Sequence, residues 1–127
     1  MSIAVLGGYG VGLTMRVPRA PRSGETVTGG ILSREHGGKG SNQAVAIARW
    51  GGRSALITAV GADVDGEAAR ELWRAEAVDD RAVVTVPHAA TMAGVILVDD
   101  AGENRIAIAP GALEHLTLGQ GGRRAIQ

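Results

Sequence analysis

The chain is 127 residues long, with 13 basic and 13 acidic side chains and no formal net charge, a length that allows one domain with a real core. Balanced charge without a basic stripe argues against a nucleic-acid footprint, and 2% aromatic content with no Phe argues against base stacking. Without Cys there are no disulfides or thiolate zinc sites, and without a long apolar run or a signal-peptide pattern the expectation is a soluble cytoplasmic protein with no membrane partner.

In chain order, residues 3–6 are a short apolar run ended by Gly7-Gly8, the pattern of a buried strand. Residues 13–17 predict a second strand, closed by Pro18 and Pro21. Residues 25–32, with Thr26, Val27, Thr28 and Ile31, predict a third. Gly37-Gly38-Lys39-Gly40 is a loop, after which Ser41 is placed to cap a helix running to about Trp50 and stopped by Gly51-Gly52. Residues 55–60 predict another buried strand. Asp65 is placed to cap a second helix to about Ala77, with Ala69, Leu72 and Trp73 on one face. Residues 82–86 predict a strand ended by Pro87. Residues 94–98 and 105–109 flank Asp99-Asp100-Ala101-Gly102-Glu103-Asn104, the pattern of a hairpin with a long loop. Residues 119–127 carry no period and are expected to be a disordered tail.

Strand, helix, strand, helix, strand implies parallel pairing and an α/β layer architecture. The early strands and the late hairpin do not fit that alternation and are placed in a separate small sheet at the edge. A parallel sheet needs cover on both faces, and two helices supply little of it, so the domain looks unfinished.

Four motif readings fail on spacing. Gly7-Gly8-Tyr9-Gly10-Val11-Gly12 follows a strand but lacks the dinucleotide spacing, and Pro18 blocks the helix that should follow. Gly38-Lys39-Gly40-Ser41 lacks the upstream Gly of a P-loop, where Ser33 stands, and Lys39 precedes Gly rather than Ser or Thr. Asp63 and Asp65 do not begin a twelve-residue calcium loop. His36, His88 and His115 have no ligand spacing. What survives is a glycine loop opening onto a helix N-terminus, where free N–H groups and the helix dipole suit anions or sugar hydroxyls. Lys39, the only lysine, sits in that loop, and Asn42 and Gln43 in the first turn can donate and accept.

The ordered set of segments resembles the front half of the ribokinase-like sugar kinases. Its pieces are Gly24-Glu25-Thr26-Val27-Thr28-Gly29, Gly37-Gly38-Lys39-Gly40-Ser41-Asn42-Gln43-Ala44, Val60-Gly61-Ala62-Asp63 with Gly66, Val78-Asp79, Thr91, Val98-Asp99, Gly102-Glu103-Asn104 and Pro110-Gly111-Ala112. The resemblance covers about residues 3–118 and implies a partial parallel sheet flanked by helices, in residues 1–118, with a small β-sheet lid over segments 13–17, 25–33, 93–99 and 104–109. It implies ATP with Mg2+ for the full-length family and transfer of the γ-phosphoryl group to a sugar hydroxymethyl. It also implies a lid that closes over the sugar and can form a homodimer contact. Sugar contacts fall to Gly38, Lys39 and Asn42, with Gly8 and Gly10 as backbone neighbours; no catalytic residue and no metal ligand is assigned.

Three departures stand out. Where the family usually has Asn-x-Asp after the first strand, this chain has Gly10 and Gly12; Leu113 follows Pro110-Gly111-Ala112 where an Asn is usual; and the segments carrying the base motif and adenine pocket do not occur in these 127 residues. The expectation is therefore the sugar-binding part of a carbohydrate kinase, truncated and inactive alone. Its rivals are a non-catalytic sugar-binding or lid-dimerising module, and a degenerate product.

Overall fold

A computed structural model describes residues 2–117 and 119. The first strand, β1 (Ser2–Leu6), pairs in parallel with β4 (Arg53–Ile57), and the helix between them, α1 (Lys39–Arg49), lies against both. A further parallel pair, β5 (Ala59–Gly61) with β6 (Val84–Val86), flanks α2 (Val64–Ala75) in sequence. The predicted strand over 55–60 is thus two strands with different partners, broken at the fully buried Thr58, whose carbonyl accepts from Val84 N–H.

A separate four-stranded sheet has the order β3-β2-β7-β8, from β2 (Gly10–Arg16), β3 (Ile31–Gly37), β7 (Ala93–Val98) and β8 (Asn104–Ala109). β2 runs antiparallel to β3 and parallel to β7, and β7–β8 is the hairpin expected around residues 99–103. The α/β class with a small additional sheet is as expected. The segment 25–33 is not a strand throughout: residues 25–30 are irregular and β3 starts at Ile31. Glu25 pairs with Arg19 and accepts from the Arg22 N–H, Gly29 adopts φ 83°, and no strand pairs with Thr26, Val27 or Thr28 among the described residues. The tail 119–127 lies outside the described residues apart from Gly119.

The core forms where β1, β4, α1, α2 and the segment after β1 meet, around Tyr9, Leu56, Val60, Ala44, Ala69 and Trp73. Tyr9 and Trp73 stack edge to face with centroids 5.4 Å apart, a favoured geometry for an aromatic pair. The buried Trp73 Nε1–H donates to Ser41 Oγ at 2.9 Å. That bond corrects the expected role of Ser41, whose side chain ties α1 to α2 and does not cap. The cap of α2 is likewise Asp63 rather than Asp65: Asp63 Oδ1 accepts from Gly66 N–H at 2.8 Å.

On its other edge β1 has no strand partner among the described residues. Leu6 beside it is 54% exposed, and Trp50 at the end of α1 is 92% exposed. No described helix is long and apolar enough to cross a membrane.

Both helices end in the paired 6→1 and 5→2 bonds of a Schellman turn. After α1, Gly52 N–H bonds Ile47 C=O and Gly51 N–H bonds Ala48 C=O; after α2, Val78 N–H bonds Trp73 C=O and Ala77 N–H bonds Arg74 C=O. The left-handed residue is Gly51 in the first and Ala77, φ 58°, in the second. Ala77→Gly is therefore expected to raise stability by about 1 kcal/mol, measured by urea unfolding; no gain would show that the turn carries no strain.

Candidate functional site

The glycine loop and the segment after β1 cross at backbone contact. A Cβ on Gly7 would lie 2.8 Å from Gly40 Cα, and one on Gly40 would lie 2.6 Å from Gly7 Cα. Gly38, with φ 96°, would place a Cβ 2.3 Å from Gly8 C=O. Only glycine fits these positions. The crossing lets Gly8 C=O accept from Ser41 N–H at 3.2 Å, satisfying one of the amides that head α1. The N–H groups of Lys39 and Gly40 head the helix with no intrahelical acceptor, at its positive end.

Of the residues singled out in the sequence, Gly8, Gly38 and Lys39 are brought together at this crossing, and Asn42 follows one turn into α1. The side chains of Lys39 and Asn42 are exposed and, among the described residues, make no hydrogen bond within the protein. Asn42 borders a groove of about 490 Å³ with His36, Val45, Arg49 and Leu72. Gly10 lies within β2, opposite Gly37, buried. A Cβ there would meet Met92 Cε at 2.5 Å and Met92 C=O at 2.9 Å. Gly8 faces the same neighbours, with Leu113 Cδ2 at 3.1 Å and Met92 Cε at 3.6 Å from a Cβ built on it.

Asp63 and Thr91 form a knot that sequence reasoning did not find. Asp63 Oδ2 accepts from Thr91 N–H at 2.8 Å and Oδ1 from Thr91 Oγ1–H at 2.6 Å; Thr91 Oγ1 in turn accepts from Gly61 N–H at 2.9 Å. Gly111 lies so close that a Cβ on it would be 2.2 Å from Ala90 C=O, while Ala112 N–H bonds that same carbonyl. This fixes the segment carrying Met92 and the 3-10 turn Gly111–His115 carrying Leu113. The available signal was the Asp63–Gly66 spacing, with a small residue placed to leave a bare N–H over the carboxylate.

A second polar cluster lies on the other face of β2. Tyr9 O–H and His36 Nδ1 are 2.6 Å apart, and Arg34 pairs with Asp65 in the first turn of α2. These groups line a cleft of about 230 Å³ with Val11, Glu35 and Ala68. Burial, reinforced by the negative charge of Asp65, pushes the Tyr9 hydroxyl up to about 12, so it stays protonated at neutral pH.

Against this geometry, comparison with known proteins is direct. Residues 9–120 match the model of the pfkB family carbohydrate kinases. The ribokinase of Haemophilus influenzae is 36% identical over 116 residues, which are 91% of this chain and 38% of that protein. The ribokinase of Lactococcus lactis is 41% identical over 111 residues, 87% and 36% of the two chains. The solved ribokinase of Giardia lamblia superposes with a TM-score of 0.83 at 32% identity, covering 92% of this chain and 36% of that one. An Arabidopsis thaliana ribokinase solved with ribose and ATP gives a TM-score of 0.79 at 27% identity, covering 86% and 36%. The fold is that of the ribokinase-like α/β proteins, and the chain belongs to the pfkB family of carbohydrate kinases. It spans a little more than a third of the length of these relatives.

Burial would push the Asp63 carboxyl up, but the bonds from Thr91 and Gly66 outweigh it and hold it below the usual carboxylate range. Its stabilisation is therefore present above about pH 3.9, the ordinary carboxylate value, and is lost as pH falls through its own lower value. Thr91→Val is expected to cost about 2 kcal/mol at pH 7 and to move acid unfolding to higher pH. Melting curves from pH 7 to pH 2 check both; an unchanged acid limb would mean the Thr91 hydroxyl does not hold Asp63.

Proposed function

We propose that this chain is the sugar-binding part of an ATP-dependent kinase acting on a ribose-like sugar, with the four-stranded sheet as a lid over the ligand. The single observation that carries this reading is the glycine crossing, which presents the head of α1 beside two exposed side chains, Lys39 and Asn42, that have no partner within the described protein. Bare amides at a helix N-terminus, an ammonium and a carboxamide together suit a polyol or its anionic derivative. The ribose and ATP found with the Arabidopsis relative support the same ligand class.

Phosphoryl transfer also needs a group to orient or deprotonate the attacking hydroxyl and a cation over the phosphates. Two carboxylates at the start of α2 are engaged: Asp63 by Thr91 and Gly66, and Asp65 by Arg34. Among the described residues no three His, Asp or Glu side chains converge, and no step is assigned to a metal. The 127-residue chain by itself binds sugar without turning over ATP.

A second reading rests on the exposed apolar side chains of the lid. Leu32 is 59% and Val95 49% exposed, and they lie on the face shared with Leu13 and Met15. Exposed apolar patches on a small sheet mark an interaction surface, and a second copy of the chain would cover this one.

Two measurements separate these readings. In an amide NMR titration with pentoses, the Gly38, Lys39 and Asn42 signals are expected to shift, with Asn42→Ala weakening binding about tenfold; no sugar-dependent shift would sink the sugar-binding reading. Sedimentation is expected to show a concentration-dependent dimer that Val95→Lys dissociates; a monomer at all concentrations would remove the second reading.

A further inference from the structure

The wall of the site beside the glycine crossing is apolar. Position 10 has no side chain, and the space one would occupy is already filled: Met92 Cε, Cγ and C=O lie 2.5, 3.1 and 2.9 Å from a Cβ built there. The Met92 carbonyl is committed to Val11 N–H at 2.8 Å. Leu113 closes the same wall from the other side, 3.1 Å from a Cβ on Gly8. Two residues further along β2, Gly12 contributes no side chain either, and a Cβ built on it meets Ile96 Cδ1 at 3.8 Å. Gly8, Gly10, Gly12, Met92 and Leu113 therefore offer a ligand no side-chain donor or acceptor; a carboxylate, Glu35, stands across from Gly12 on β3, so the apolar wall is the part lined by Met92 and Leu113.

The wall is also held in place. Thr91, the residue before Met92, is 3% exposed and fixed by Asp63 and Gly61, and the turn carrying Leu113 is clamped onto Ala90. A hydroxyl pressed against this wall loses its water and gains nothing in return, a cost that reads as lost affinity. A bulkier substituent has no room, because Met92 has taken the volume.

We propose that Met92, set into the space left by Gly10, is a specificity-determining residue, and that the ligand presents a hydroxyl-free face to it: a deoxygenated pentose binds in preference to ribose. This rests on the sugar-binding reading above, since it concerns the far wall of the same site.

The test is an amide NMR titration of the 127-residue chain with D-ribose, 2-deoxy-D-ribose and 3-deoxy-D-ribose. At least one deoxy sugar is expected to bind on the order of tenfold tighter than ribose, shifting Lys39 and Asn42 together with the Met92 methyl. Gly12→Asp, whose new Cβ meets only ordinary contact distances, is expected to reverse the preference by adding an acceptor. Gly10→Asn should lower the melting temperature through its collision with the Met92 side chain and carbonyl, and Met92→Gly alone, which empties the space beside Gly10, should narrow the preference for the deoxy sugar. Equal or tighter binding of ribose by the unaltered chain, with Lys39 and Asn42 responding, would overturn the apolar-wall proposal and leave the sugar-binding reading standing. No response at Lys39 and Asn42 to any of the three sugars would overturn both.

Discussion

At the centre of the molecule two stretches of main chain pass within contact of each other, Gly7-Gly8 under Gly38-Lys39-Gly40, with no side chain between them. The crossing sets where α1 begins, because the Gly8 carbonyl receives the Ser41 amide in its first turn. It sets where β2 begins, because Gly38 lies over Gly8 and Tyr9 and Gly37 pairs with Gly10. It also buries Tyr9, whose ring then packs on Trp73, while the Trp73 indole returns to Ser41 at the head of α1. Sheet, helix and core are thus registered against one another by the same few atoms. In an interior packed at crystal-like density, even one methyl group at the crossing would have to separate them.

A second tie, between Asp63 and Thr91, does for the far side what the crossing does for the near side. It joins the cap of α2 to the residue that leads into Met92 and β7. A carboxylate satisfied by two amides and a hydroxyl is rigid as well as stable, so Met92 enters the site from a fixed direction. The four-stranded sheet is attached to the body at both its first and its third strand in chain order, and each attachment runs through a residue type that admits no ready substitute.

Much of this was legible in the sequence where local pattern and tertiary partner agree. The hairpin of β7 and β8 is one case: apolar runs flank turn-forming residues and the strands pair only with neighbours. Residues 25–30 are the opposite case, since Thr26, Val27 and Thr28 favour a strand that no partner receives. Most of β3 beyond Ile31 and Leu32 went unseen because Ser33, Arg34, Glu35 and His36 show no alternation; both faces of this edge strand are exposed, so no hydrophobic period is required of it. Gly10 and Gly12 fall outside the strand predicted over 13–17, yet they lie in β2, where the missing side chain at Gly10 makes room for Met92. Ser41 and Asp65 look like caps by residue type, but a cap is defined by which amide the side chain reaches, and that depends on the turn before the helix. The candidate ligand residues could be found because Gly38, Lys39 and Asn42 fall in one short stretch of sequence; Met92 and Leu113 could not, because only the fold brings them to Gly8 and Gly10.

The crossing has a consequence for any survey of substitutions scored by function. Gly7, Gly38 and Gly40 would tolerate almost nothing, whether or not a ligand ever binds, because the loss would come from a fold that cannot close. Intolerance there is silent about chemistry. Lys39 and Asn42 differ, since their side chains are exposed and make no hydrogen bond among the described residues. A scan that finds those two replaceable while the glycines beside them are fixed would describe a scaffold; one that finds all five fixed would describe a scaffold with a purpose.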